Sequence, residues 1–424
     1  MPYKCPPFIV AAAASALALA VTVSAPVRAA QPAAPPQICV NNVCKATPTT
    51  ATATAAVASG SMKWNPGHYA ECISRPSTPA STGASQATMN DMSAAKSSSG
   101  RFMGYQGEYT WYYLENATGG SYRTDIIDND LAYLAQKSAA DGVDYKLIIF
   151  MEDEGFQPVA STPQAVAYSA GNGQSSLSVA PDYIINGVTP GAGPGVINNG
   201  YGVAQVALWR QNEMTAYINL INYLGNKYDS NPHVEAIVPI VQTGYNLGNL
   251  SDPTYSAAAM ATQLGRLAAA MKTSWPTTNK ILFNNWALYN SGNNISQLTS
   301  LTQTVVAAGF GMGGPDILYV AGGAPTSGSQ VELGAGGAFG NINYIGKVPL
   351  IYEDQANWAN WTNQTQAGTE SYAYNTLQAT HTVWEDAPSG VTGGKYPQTE
   401  WPATISALDA VNFRIHSGYP SSYP

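Results

Sequence analysis

The feature that most restricts this chain is how its short apolar runs end. From residue 63 onward, runs apolar enough to be buried on both faces alternate with stretches of helical spacing, and most of the runs stop at polar residues. Residues 145–151 (YKLIIFM) stop at Glu152-Asp153-Glu154, 234–241 (VEAIVPIV) at Gln242-Thr243-Gly244, and 280–283 at Asn284-Asn285-Trp286. Residues 309–312 precede Gly313-Gly314-Pro315-Asp316, 348–352 (VPLIY) stop at Glu353-Asp354, and 381–384 at Glu385-Asp386. Two earlier runs complete the set: 63–68, a short strand leading to a polar tip at His68, and the aromatic 102–114 (FMGYQGEYTWYYL). Helices are expected over 129–140, 213–228, 255–273, 295–308, from 369 onward and over 401–415, where apolar residues recur at helical spacing.

Strands that are apolar throughout and separated by helices imply a parallel sheet covered on both faces. Eight such units close into an α/β (β/α)8 TIM barrel, here with a long loop after strand 3. A doubly wound open sheet is the competing arrangement. It lacks support from nucleotide chemistry, since no G-x-G-x-x-G follows the first strand and no G-x-x-x-x-G-K-[ST] occurs. The loop, residues 156–203, is rich in Gly, Pro and Asn and reads as a rim or lid over the barrel mouth, or else as an ordered excursion without function.

In a barrel of this kind, function gathers where the strands end, at the C-terminal face. His68, Asp153, Gln242, Asn285, Trp286, Asp316, Glu353, Trp384 and Glu385 all fall there. Charged residues are only 10% of the chain, against about 25% in an average soluble protein, so carboxylates behind successive strands are out of proportion. Carboxylates can act as acid, base or nucleophile, amides can bind hydroxyls, and indoles can lie against a sugar ring. His68 is equally a residue for a structural hydrogen bond, and Glu108, inside the aromatic strand, reads as a buried paired carboxylate.

The same composition excludes other classes. A net charge of −8 with few basic residues argues against nucleic-acid binding. Four His with no H-x-x-x-H give no basis for a catalytic metal, and no other cofactor is implied. The chain begins with the pattern of an export signal, residues 1–29: Lys4, the apolar run 8–23 (FIVAAAASALALAVTV), and Ala29 at a cleavable site. Residues 30–60 form an Ala/Pro/Thr-rich linker without helical period. Cys39 and Cys44 within it could close a local disulfide in an oxidising compartment, leaving Cys72 to the core. Residues 61–424 then form one barrel domain, secreted or periplasmic, with no membrane span after cleavage.

Several motifs carry a resemblance. Pro349-Leu350-Ile351-Tyr352-Glu353 resembles the seventh strand of clan A glycoside hydrolases, whose final Glu is the nucleophile. Thr382-Val383-Trp384-Glu385 resembles their eighth strand, whose Trp floors the sugar subsite. Leu208-Trp209-Arg210, Tyr228-Asp229-Ser230-Asn231-Pro232 and Gly311-Met312-Gly313-Gly314-Pro315-Asp316 are similar to features of a group of secreted bacterial proteins with a glycoside-hydrolase-like barrel. The resemblance implies a carbohydrate substrate or ligand, Glu353 as nucleophile or base and Trp384 under the sugar; the strand-end chemistry adds Trp286 and Asn285 as sugar-holding groups. The clan keeps its acid/base Glu after an Asn at the end of strand four, where this chain has Val241-Gln242-Thr243. Either Asp153 or Glu385 serves as the acid, or the barrel binds glycans without cleaving them.

Overall fold

The computed structural model describes residues 62–72, 82–95, 100–116, 118–155, 168–170, 174–177, 179–198, 204–240, 252–283, 295–314, 317, 341–354, 365–386 and 400–424, with Cys39–Val40 and Val43–Cys44. Eight strands close into a parallel barrel. They are β1 Gly67–Cys72, β2 Gly104–Thr110, β3 Lys146–Glu152, β4 Val234–Val238, β5 Asn279–Phe283, β6 Phe310–Gly314, β7 Leu350–Asp354 and β8 His381–Asp386. Each is hydrogen-bonded to its neighbours in sequence order, and the ring closes where β8 pairs with β1. Among the described residues the α-helices of seven residues or more are α1 Thr82–Ala94, α2 Asp125–Asp141, α3 Gln211–Tyr228, α4 Ala257–Ser274, α5 Ile295–Ala307, α6 Gln366–Tyr372 and α7 Glu400–Ala410. The expected (β/α)8 barrel is thus the fold observed.

Successive strand residues point to opposite faces, and the barrel sorts them into two cores. Tyr69, Ile148, Phe150, Ala236, Val238, Ile281, Phe283, Ile351 and Val383 fill the lumen. Their neighbours Ala70, Leu147, Ile149, Ile237, Leu282, Tyr352 and Trp384 join the outer core. In β6 the alternation gives way to glycine: a Cβ on Gly313 would stand 2.0 Å from the Ile351 carbonyl oxygen of β7. The glycines of the Gly311–Asp316 motif therefore let two strands approach. The other two motifs also build scaffold. The Trp209 indole donates to Thr254 at 3.1 Å, and Arg210 pairs with Asp252 at 2.5 Å and donates to the Pro194 carbonyl at 2.7 Å. Asp229 accepts from the Thr277 and Thr278 backbone N–H groups at 3.0 and 2.8 Å, which fixes the entry to β5.

The aromatic run 102–114 is a strand only over Gly104–Thr110 and turns helical over Trp111–Leu114, and the last helix ends at Ala410 instead of 415. Two further elements differ more from the sequence reading. The first strand is Gly67–Cys72, four residues later than expected. Residues 63–65 instead close the N-terminal end of the barrel, where the Lys63 ammonium donates to the Asn231 carbonyl at 2.8 Å and the Asn65 N–H to Glu235 at 2.8 Å. Pro66, which has no N–H, ends that segment before the ladder begins. Helix α1 gave no apolar period because its buried face is made of Ser85, Thr88, Met89, Met92 and Ser93.

The stretch after β3 contains a small antiparallel sheet, in which Ala204–Val206 pairs with Glu154–Gly155 and Val196–Asn198. Ile184 and Ile185 are buried beside it. The chain divides into compact units Met1–Ala56 and Val57–Pro424. In the first, Cys39–Val40 pairs with Val43–Cys44, Cys39 opposite Cys44, and their side chains lie outside the described residues, as does the apolar run 8–23. Cys72 is buried. No helix among the described residues is long and apolar enough to cross a membrane.

Candidate active site

On β1, β3, β7 and β8, continuing the lumen face toward the C-terminal end of the strand replaces apolar side chains with carboxylates. Past Ile351 comes Glu353, past Val383 Glu385, past Tyr69 Glu71, and past Phe150 Glu152. On β2 the same face carries Gln106 and Glu108, because Gln106 stands opposite Glu71 in the ladder. Glu353 is 1% exposed, Glu71 2%, Glu152 3% and Glu108 7%, while Glu385 is half-buried. Glu385 lies opposite Glu71 between β8 and β1. The Gln106 amide donates from Nε2 to Glu353 Oε2 at 3.2 Å, across the lumen end.

Crowded carboxylates out of water cannot all ionise. Burial comes first in holding the Glu71 carboxyl well above the usual range, followed by the charges of Glu353, Glu108 and Glu385. Glu71 therefore keeps its proton where an ordinary Glu has lost it. A protonated carboxyl beside carboxylates is the division of labour that acid–base catalysis needs. Among the described residues no group of three or more His, Cys, Asp or Glu has the arrangement of a metal site.

The other expected site residues fall in different places. Trp384 and His68 both belong to the outer face. Trp384 is fully buried in the outer core, and its indole Nε1 donates to His68 Nδ1 at 3.0 Å. His68 Nε2 lies 3.1 Å from the Arg414 carbonyl oxygen, which fixes the proton on Nε2, and burial pushes the imidazole down to about 4. Neither side chain meets the lumen, because each is one residue out of phase with it: Val383 and Tyr69 point inward instead. Asp153 is likewise held outside the cluster, where Gln205 Nε2 donates to its carboxylate at 2.7 Å, and the lumen residue of that strand end is Glu152. Gln242, Asn285, Trp286 and Asp316 lie outside the described residues.

Glu71 and Gln106 were missed. The misplaced first strand hid Glu71, since a strand ending at His68 leaves position 71 in a loop. The lumen phase of β2 could have been taken from the alternation of Gln106 and Glu108 with Tyr105 and Tyr109. A polar residue at every second position of an aromatic strand signals an interior that is not wholly apolar.

Solved structures similar to this chain include endo-glycoceramidase II from Rhodococcus sp., at 13% identity and a TM-score of 0.47 over 82% of this chain and 80% of that one. The catalytic domain of beta-amylase from Paenibacillus polymyxa is similar at 9% identity and a TM-score of 0.48, over 83% and 100% of the two chains. A GH5_18 protein from Streptomyces cattleya in complex with Manb1-4GlcNAc is similar at 12% identity and a TM-score of 0.47, over 85% and 83%. No family model matches the chain, and no curated protein matches it.

Proposed function

We propose that this protein is a secreted or periplasmic glycoside hydrolase acting on a polysaccharide or oligosaccharide. The observation that carries the reading is Glu353. It closes the lumen face of β7, is buried, accepts from Gln106, and has further carboxylates of the same barrel end beside it. Glycoside hydrolysis asks for such a set, a carboxylate that serves as nucleophile or base and a second carboxyl that protonates the leaving oxygen. Glu353 takes the first part. Asn285 and Trp286, which follow β5 in sequence, are the sugar-holding groups of this reading, and the apolar run 8–23 is its export signal.

The test is a glycan array, followed by incubation of each bound glycan and mass analysis of the products. Cleavage of a bound glycan is expected. Glu353→Gln should lower its rate by at least about a hundredfold while thermal unfolding stays cooperative. Full turnover in that variant would remove Glu353 from the mechanism. Binding without any product would leave a glycan-binding barrel.

A further inference from the structure

Glu71 is the hinge of the carboxylate cluster. On one side of β1 it stands opposite Glu385 of β8, and on the other opposite Gln106 of β2, whose amide reaches Glu353 of β7. The carboxyl of Glu108, two residues along β2 from Gln106, also acts on it through its charge. Gln106 adds a second, independent sign. Its side chain is fully buried, and its Oε1 has no hydrogen-bond partner among the described residues. A buried acceptor without a donor costs free energy, and here it sits on the amide that grips Glu353. Such an oxygen suits a ligand that brings hydroxyl groups into the lumen end.

Within the hydrolase reading given above, we propose that Glu71 is the proton donor of the site. Gln106 holds Glu353 as its ionised partner and takes a sugar hydroxyl on Oε1. The donor thus comes from β1, adjacent to β8, and stands in for the carboxyl that Gln242 lacks. In the reaction, the Glu71 O–H proton passes to the glycosidic oxygen as the bond from that oxygen to the anomeric carbon breaks. The electron pair of the broken bond leaves with the oxygen, which departs as an alcohol. Glu353 either bonds to the anomeric carbon or takes a proton from the water that does. In the first case a later water gives its proton to Glu71 and its hydroxyl to the sugar, freeing Glu353. In the second the proton on Glu353 returns to Glu71 through solvent. The charges of Glu353, Glu385 and Glu108 all favour the protonated form of Glu71 before the reaction. The Gln106 N–H favours the ionised form of Glu353.

The experiment compares wild type, Glu71→Gln and Glu385→Gln on the glycan that wild type cleaves and on a dinitrophenyl glycoside of the same sugar. The dinitrophenolate leaves without a proton. Glu71→Gln should lower turnover of the glycan by about a hundredfold or more. It should spare most of the activity on the dinitrophenyl glycoside and flatten the alkaline limb of the pH profile. Glu71→Asp should show the same contrast if the Gln variant does not fold. Equal losses on both substrates in a folded variant, or the contrast appearing in Glu385→Gln instead, would overturn the proposal. If wild type cleaves neither substrate, the hydrolase reading itself has failed. The proton-holding role is then read by carbon-13 NMR of Glu-labelled protein. A carboxyl signal still protonated at neutral pH in wild type and missing in Glu71→Gln supports that role, and its absence in wild type overturns it.

Discussion

The two ends of the barrel lumen solve one problem in opposite ways. At the N-terminal end, Glu235 of β4 is 1% exposed. Its Oε1 accepts from the Asn65 N–H at 2.8 Å and the Asn279 amide at 2.8 Å, with His381 Nε2 at 3.3 Å. At the C-terminal end, Glu71 of β1 is 2% exposed and its nearest charges are three more glutamates. Equal burial thus yields a carboxylate ringed by donors below and a carboxyl ringed by acceptors above. The lower arrangement closes the barrel. The upper one is unfavourable for folding, and unfavourable electrostatics tend to persist where they serve chemistry.

The comparison breaks most easily from below. Glu235→Ala would leave the Asn65 N–H, the Asn279 amide and His381 facing a void. Losing one partner of a buried, hydrogen-bonded set costs about 3–5 kcal/mol. Urea unfolding should show a destabilisation of that size, the largest expected of any single change considered. A loss under about 1 kcal/mol would mean that water replaces the carboxylate and that the floor is less closed than its hydrogen bonds indicate.

Those two ends also show what the sequence could reveal. The fold was legible because most of the strands are apolar on both faces and run into polar residues, the pattern expected of a covered parallel sheet. Glu353 was legible because it directly ends the apolar run 348–352. Trp384 and Glu385 are adjacent, and nothing in the sequence fixes which of the two enters the lumen, since both faces of a barrel strand are buried and either accepts an indole. Glu71 was invisible for a different reason. The apolar signal of 67–72 (GHYAEC) is weak, and the lysine and tryptophan before it imitate a strand although they plug the floor. Helix α1 shares that difficulty, because small hydroxyl residues pack against the barrel without producing a period.

The upper end can be sharpened by pH. Glu71 has its carboxyl raised by burial and by its neighbours' charges, so its contribution to stability is fully present below the unfolded value of 4.5. That contribution is lost as pH climbs toward the folded value, because the unfolded chain releases a proton that the folded chain retains. Glu71→Gln has no proton to retain. Relative to wild type the variant should gain about 1.4 kcal/mol for each pH unit above 4.5, until the folded carboxyl ionises and the gain levels off. Below that value the two proteins should unfold alike. Denaturant titrations at a series of pH values measure the difference directly. A gain independent of pH would show that packing, and not ionisation, sets the environment of Glu71.

The smallest effect separates the lumen from the layer around it. Trp384 packs in the outer core and donates to His68 Nδ1, while His68 Nε2–H donates to the Arg414 carbonyl. Both ring nitrogens are therefore committed in the neutral form, which agrees with an imidazole pushed down to about 4 by burial. The indole cannot turn inward without breaking this chain of bonds, and Val383 already occupies the inward position. Trp384→Phe removes the N–H donor and a little volume, so stability should fall by about 1–2 kcal/mol. Affinity for a glycan bound at the barrel mouth should change less than about twofold, since no atom of Trp384 reaches the lumen. A tryptophan that floors a sugar subsite would behave otherwise, because losing about 1.4 kcal/mol of stacking weakens binding tenfold. A tenfold loss of affinity in a stably folded Trp384→Phe would return this residue to the site and put the phase of β8 in error by one residue.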